Sequence, residues 1–326
     1  MLAVVLSLLA AIGFGCSDFT AGLATRAGSV IRVTIVDQAA ATVVALAVVP
    51  FTSVRGLTVA SASWGAGAGV SGVAGAMVLY LGFRNAEFSV ASTLSAVGSA
   101  VLSVVAGLLF GERPGVFALT GIGLAIPAIA AVSAGAAGAA AESAPGAGVG
   151  LAAGAGVGTG SGAGVGAGSG AGVGAGSGAG RQAALGRQAQ GVGYGLAAGV
   201  CFALYFIGLD KAGSGSGLWP VLIAQLAALA VVVVIGAVSG QLRLPPSSRA
   251  RVQSMLTGVT GMAGTTMFFL ASHEGLLAVT AVITALYPGG TIVLARVLLG
   301  ERLTRVRLAG LGLAAASVAL IAVAGA

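Results

Sequence analysis

A carboxylate inside an apolar run is costly to bury, so its position carries information. Asp37 has apolar neighbours on both sides, in VIRVTIVDQAAATVV (30–44). A group placed there can hold a proton or a cation, or face an amine as its counter-charge. It can equally pair with a cation such as Arg32. Gln38 beside it, and Gln225 in LIAQLAAL (222–229), are neutral hydrogen-bonding groups. They either orient a polar ligand or join one helix to another. Asp18 lies near the end of the first apolar run, where it serves the same chemistry or reaches water. Tyr80, Phe202 and Tyr205 line a cavity or fill a core. Tyr287-Pro288-Gly289-Gly290 interrupts a further run. Proline removes a backbone donor and glycine loosens the turn, so freed carbonyls there face a cavity or merely accompany a kink.

Enzyme chemistry finds little support. His273-Glu274 has half of a zinc-protease signature, but His273 is the single histidine of the chain. No nucleophile–base pair, phosphate loop or metal cluster is legible, so no catalytic residue, metal or cofactor is expected. Cys16 and Cys201 sit in apolar runs without ligand spacing and read as small packing residues. The net charge is +7, from 15 basic and 8 acidic residues. The arginines are scattered at the ends of apolar runs and form no basic stripe, which argues against nucleic acid as a partner.

The elements that must position these residues are membrane helices. Charged residues make up 7% of the chain, against ~25% in soluble domains. Mean hydropathy is +1.07. Apolar runs of about 18 or more residues can cross a hydrocarbon core of about 30 Å. The strict alternation of a strand barrel is absent. The sequence therefore predicts an all-α integral membrane protein with ten spans. Five lie at 2–22, 30–51, 64–83, 88–110 and 115–134. Five more lie at 192–209, 218–239, 253–271, 276–299 and 304–325. The N-terminal run lacks a basic leading segment and reads as a retained first span. Trp64 and Trp219 fall near span ends, where an indole suits the lipid–water interface. Arginine outnumbers lysine fourteen to one, which with the Ala, Gly and Val bias points to a GC-rich genome; the expected location is the plasma membrane of a bacterium.

Between the two sets lies a low-complexity segment, 135–191. Residues 154–177 are three copies of an eight-residue unit, GAGVGTGS GAGVGAGS GAGVGAGS. Interior glycine costs a helix about 1 kcal/mol relative to alanine, so the segment is not counted as a span. It reads as a flexible tether, the alternative being silk-like stacking between chains. Three regions result: 1–134, 135–191 and 192–326.

The two outer regions are alike. VASTLSAVGSAVLSVVAGLLFGER (90–113) aligns without a gap on VTAVITALYPGGTIVLARVLLGER (279–302). AAIGFG (10–15) resembles AGVCFA (198–203). The chain thus reads as a duplicated five-helix unit. Five crossings are an odd number, so two copies in series insert with opposite orientations. Inverted repeats of this kind are the architecture of many secondary transporters.

The stretch LYPGGTIVLARVLLGERL (286–303) resembles the EamA family of the drug/metabolite transporter superfamily. The likeness covers the chain apart from the glycine-rich segment. It implies a 5+5 inverted fold around a central cavity, complete as a monomer. It implies a small-molecule substrate, often an exported amino acid or a drug, with protons as a possible coupling ion. The turns Gly111-Glu112-Arg113 and Gly300-Glu301-Arg302 are expected to be structural, each Glu bonding the start of the next helix. Ser99 stands where the second unit has Pro288. Asp37-Gln38 and Gln225 stand about where the family often carries arginine, so charge preference does not carry over. Import of a solute, and a scaffold using the glycine-rich arm, are the alternatives. Basic residues concentrate on the face opposite the N-terminus, which places both termini outside; the resemblance places both inside.

Overall fold

The computed structural model describes the backbone of residues 1–52, 56–86, 88–142, 175–299 and 305–324. Its elements are helices, with no strand among the described residues. In order they are α1 (Leu2–Ala27), α2 (Val30–Val48), α3 (Val59–Asn85), α4 (Phe88–Leu109), α5 (Val116–Glu142), α6 (Ala175–Lys211), α7 (Trp219–Val238), α8 (Ser248–Glu274), α9 (Leu277–Thr284), α10 (Tyr287–Leu299) and α11 (Arg305–Ala324). Among the described residues seven helices are long and apolar enough to cross a membrane. Three shorter apolar stretches, Val116–Ala131, Leu277–Thr291 and Leu308–Val323, occupy the places of the other expected spans.

Several helices outrun their apolar cores. α3 begins at Val59 because the Thr58 side chain accepts from the Ser61 amide, and α8 begins at Ser248 because Ser247 accepts from Ala250. Such caps satisfy otherwise orphaned donors. α5 runs on to Glu142 and α6 starts at Ala175, both inside the segment read as non-helical. Alanine-rich GAAGAAAE (135–142) and RQAALGRQAQ (181–190) carry most of those extensions, since Ala, Gln and Arg favour helix; the start of α6 also takes in AGSGAG (175–180), against the expectation from its alternating glycine. Most of the triple repeat lies outside the described residues.

The expected interruption is present. Span nine is two helices, α9 ending at Thr284 and α10 starting at Tyr287. Pro288 takes the second position of α10, where its missing N–H leaves no helical bond unmade.

The helices pack crosswise between the two parts of the chain. α1 packs against α8, and α6 against α3. α2 packs against α8, and α7 against α3. α2 meets α7, and α5 meets α11. Small residues allow the closest of these approaches, as membrane helices require. A methyl group on Gly69 would collide with the Ala224 carbonyl of α7, and one on Gly258 with the Asp37 carbonyl of α2.

The Gly111-Glu112-Arg113 turn corrects one expectation. Gly111 adopts φ 91°, a left-handed conformation that favours glycine, and so ends α4. Glu112 then bonds not the next helix in sequence but α9, accepting from the amides of Leu277 (2.6 Å) and Ala278 (2.9 Å). The helix start offers free donors and the positive end of its dipole. Arg113 is exposed. Gly300-Glu301-Arg302 lies outside the described residues.

Candidate functional site

α1, α2, α3, α6, α7 and α8 line a cavity of about 100 Å³. Six of the eight candidate ligand residues line it: Asp18, Asp37, Gln38, Tyr80, Tyr205 and Gln225. They come from five helices and are scattered over 207 positions of sequence. A smaller adjoining cavity of about 50 Å³ brings in Tyr287, together with Asp18 and Tyr205. Pro288 is buried and lines neither cavity, its place being the helix break behind Tyr287.

Asp37 is 5% exposed. The Tyr80 hydroxyl donates to its Oδ2 at a long 3.5 Å. Pairing with Arg32 is not observed: among the described residues the ion pair is Lys211–Asp210 at 3.3 Å, near the end of α6. Asp18 Oδ2 and Gln38 Oε1 are buried without a hydrogen-bond partner among the described residues. None of the described residues lining the cavity is Lys, Arg or His. Two carboxylates thus share one partly open space with no cation among its described lining residues. Buried charge without a partner is costly, and a proton or a bound cation relieves that cost.

Other polar groups around the cavity are committed to the fold. Ser17 Oγ donates to the Thr257 carbonyl at 3.1 Å. Tyr205 Oη and Thr265 Oγ1 are 2.5 Å apart. The site is therefore a few free oxygens in a wall of rings, glycines and satisfied hydroxyls.

Sequence reading missed the glycine wall. Gly69, Gly72, Gly258 and Gly261 line the cavity. Gly69, Gly72 and Gly75 recur as Gly258, Gly261 and Gly264 at the same 189-residue offset that aligns 90–113 on 279–302. That double spacing was the available signal. The glycines admit side chains from the crossing helix. A methyl on Gly72 would come 2.7 Å from the Tyr205 ring, and one on Gly264 3.1 Å from the Phe14 ring. Phe14 was missed too, although AAIGFG against AGVCFA sets it opposite Phe202, and both rings line the cavity.

Seven helices among the described residues long and apolar enough to cross a membrane define a multi-pass helical membrane protein. Within that class, residues 189–323 match the model of the EamA-like transporter family, the family that 286–303 resembles. A solved structure titled only as a crystal structure of protein has a TM-score of 0.62 at 15% identity, covering 96% of this chain and 95% of its own. That likeness speaks to the fold. No curated protein matches the sequence.

Proposed function

We propose that the chain is a secondary transporter that moves a small solute by alternating access, working as an exporter of amino-acid-like metabolites or drugs. The observation that carries this reading is the partly open cavity whose described lining residues include two carboxylates and no Lys, Arg or His, walled by three helices from each part of the chain. A solute bearing positive charge, or a solute exchanged against protons, satisfies those carboxylates in turn.

The crosswise packing supports ten crossings in two inverted units, 1–134 and 192–326, joined by the linker 135–191. Exchanging α1, α2 and α3 for α6, α7 and α8 turns the contact of α1 with α8 into that of α6 with α3, and likewise α2 with α8 into α7 with α3. Such exchange is what a twofold axis in the membrane plane produces. Connections also sort by parity. Gly56 and Ser216, from the second and sixth connections, are joined at 2.9 Å. Ser29 and Gln241, from the first and seventh, bond each other.

The test is a metabolite profile of the medium around bacteria that make the wild type, Asp37→Asn or neither protein. A compound enriched with the wild type alone is the expected result. Enrichment with both proteins would retain export and leave Asp37 a structural role. No difference between the three, with the protein present in the membrane, would overturn export.

A further inference from the structure

We propose that the seam where α2 and α8 begin is a headgroup site for an anionic phospholipid, with Arg32 and Arg251 as the groups that hold its phosphodiester. The inference goes beyond the transported solute and does not depend on it.

The packing shows which groups share this end of the bundle. A methyl on Gly28 would lie 4.0 Å from the Pro245 side chain, and Ser29 bonds Gln241. The turn between α1 and α2 therefore meets the connection between α7 and α8. α3 and α7 run side by side in one direction, Gly65 against Pro220 and Gly69 against Ala224, which brings Arg84 level with the end of α7. Arg26, Arg32, Arg84, Arg243, Arg249 and Arg251 thus stand at one end. Among the described residues no carboxylate joins them. Asp18 and Asp37 line the cavity. Glu112, Asp210 and Glu274 lie at the other end, where Glu112 bonds Leu277, Lys211 lies over the Phe110 ring and Gly275 meets Ala3.

Two of these arginines differ from the rest. Arg26, Arg84, Arg243 and Arg249 are exposed. Arg32 and Arg251 are half-buried, and each keeps a buried Nε without a hydrogen-bond partner among the described residues. Both sit in the first turn of their helix. Gly258 meets α2 at the backbone of Asp37 and Ala41. Arg251 lies about 10 Å nearer the start of α8 than Gly258 and on the same side of the helix, and Arg32 about 8 Å nearer the start of α2 than Asp37. The two residues therefore reach a common depth from adjacent helices. A buried N–H without an acceptor carries a penalty. Nε and one Nη make a planar fork that fits two oxygens of one phosphate. A lipid, rather than a free phosphate, is indicated by the surface that follows Arg251 into the membrane. Val252, Met255, Leu256 and Val259 are 43–55% exposed and make one apolar strip at helical spacing. Basic charge above an apolar strip matches a headgroup above its acyl chains, and basic pockets between membrane helices take anionic headgroups.

The experiment is native mass spectrometry of the full-length chain in detergent, titrated with dioleoyl phosphatidylglycerol, dioleoyl phosphatidylcholine or inorganic phosphate. The two lipids share their acyl chains and phosphodiester, but phosphatidylcholine carries its own balancing cation. Phosphatidylglycerol is expected to bind at least about tenfold more tightly, the range of a charge-assisted bond. Arg32→Gln combined with Arg251→Gln is expected to abolish that preference, and Arg113→Gln, at an exposed residue of the other end, to keep it. Equal binding of the two lipids to the wild type would overturn the proposal, and so would a double variant that keeps the preference. Inorganic phosphate displacing phosphatidylglycerol at equal concentration would make the ligand a free anion and overturn the lipid assignment. Location is tested on the wild type, with no variant to fold. A phosphatidylglycerol analogue with a photoreactive headgroup is expected to label 30–48 or 248–274, and labelling confined to other segments would overturn the site.

Discussion

At the scale of the residue, the cavity depends on atoms that are missing as much as on those present. Gly258 lets α8 touch the backbone of α2 at Asp37, and so fixes how far that carboxylate reaches into the cavity. Gly258→Ala must push the two helices apart. It is expected to destabilise the protein by about 1–3 kcal/mol, the usual cost of overpacking, and to impair transport. Gly67→Ala, exposed on α3 with nothing within 4 Å of the added methyl, is expected to leave transport unchanged and to raise stability by up to about 1 kcal/mol. Thermal unfolding in detergent compares the two directly. Asp37 was legible in the sequence because a carboxylate in an apolar run stands out by type. Phe14, Phe206 and the glycines were not, because rings and glycines are ordinary in membrane helices and only their placement across helices makes them a wall.

At the scale of the element, the most informative part is the join between α4 and α9. The Glu112 carboxylate closes the start of a helix 165 residues away in sequence. Gly107 makes room for it, since a methyl there would collide with Glu112 Oε2. Charge-assisted bonds to two backbone donors are worth about 2 kcal/mol or more together. Glu112→Ala is expected to lower stability by about that amount and to raise hydrogen exchange at the amides of Leu277 and Ala278 above that of the rest of α9. An unchanged exchange pattern would show that the cap is dispensable. The helix break at Pro288 was readable, because proline and paired glycines have local consequences. The partner of Glu112 was not, because a long-range cap leaves no local pattern. Span centres were found from hydropathy. Span ends moved, since caps at Thr58 and Ser247 and alanine-rich tails extend helices beyond their apolar stretch.

At the scale of the whole molecule, a near-symmetric frame holds an unsymmetric site. Helices trade places between the two parts of the chain, while both cavity carboxylates, Asp18 and Asp37, come from the first part. Gln225 and Phe206, from the second, are neutral. The likeness of the two parts was plain from the aligned stretches; the distribution of charge around the cavity needed the packed helices. If the linker only tethers the two units, its repeats are expendable. A chain lacking 154–177 is expected to reach the membrane and transport at the wild-type rate, measured by the same efflux assay. Loss of transport with normal membrane insertion would give the repeats a role in the cycle.

The glycine contacts have a mechanical side. Helices that interlock through side-chain ridges must lift those ridges clear before they shift. Where α8 meets α2 and α3 meets α7, backbone rests against backbone at Gly258 and Gly69, and there is little to lift. In the proposed transport cycle these contacts would be the bearings: smooth, closely fitted and placed beside the cavity that Asp37 lines.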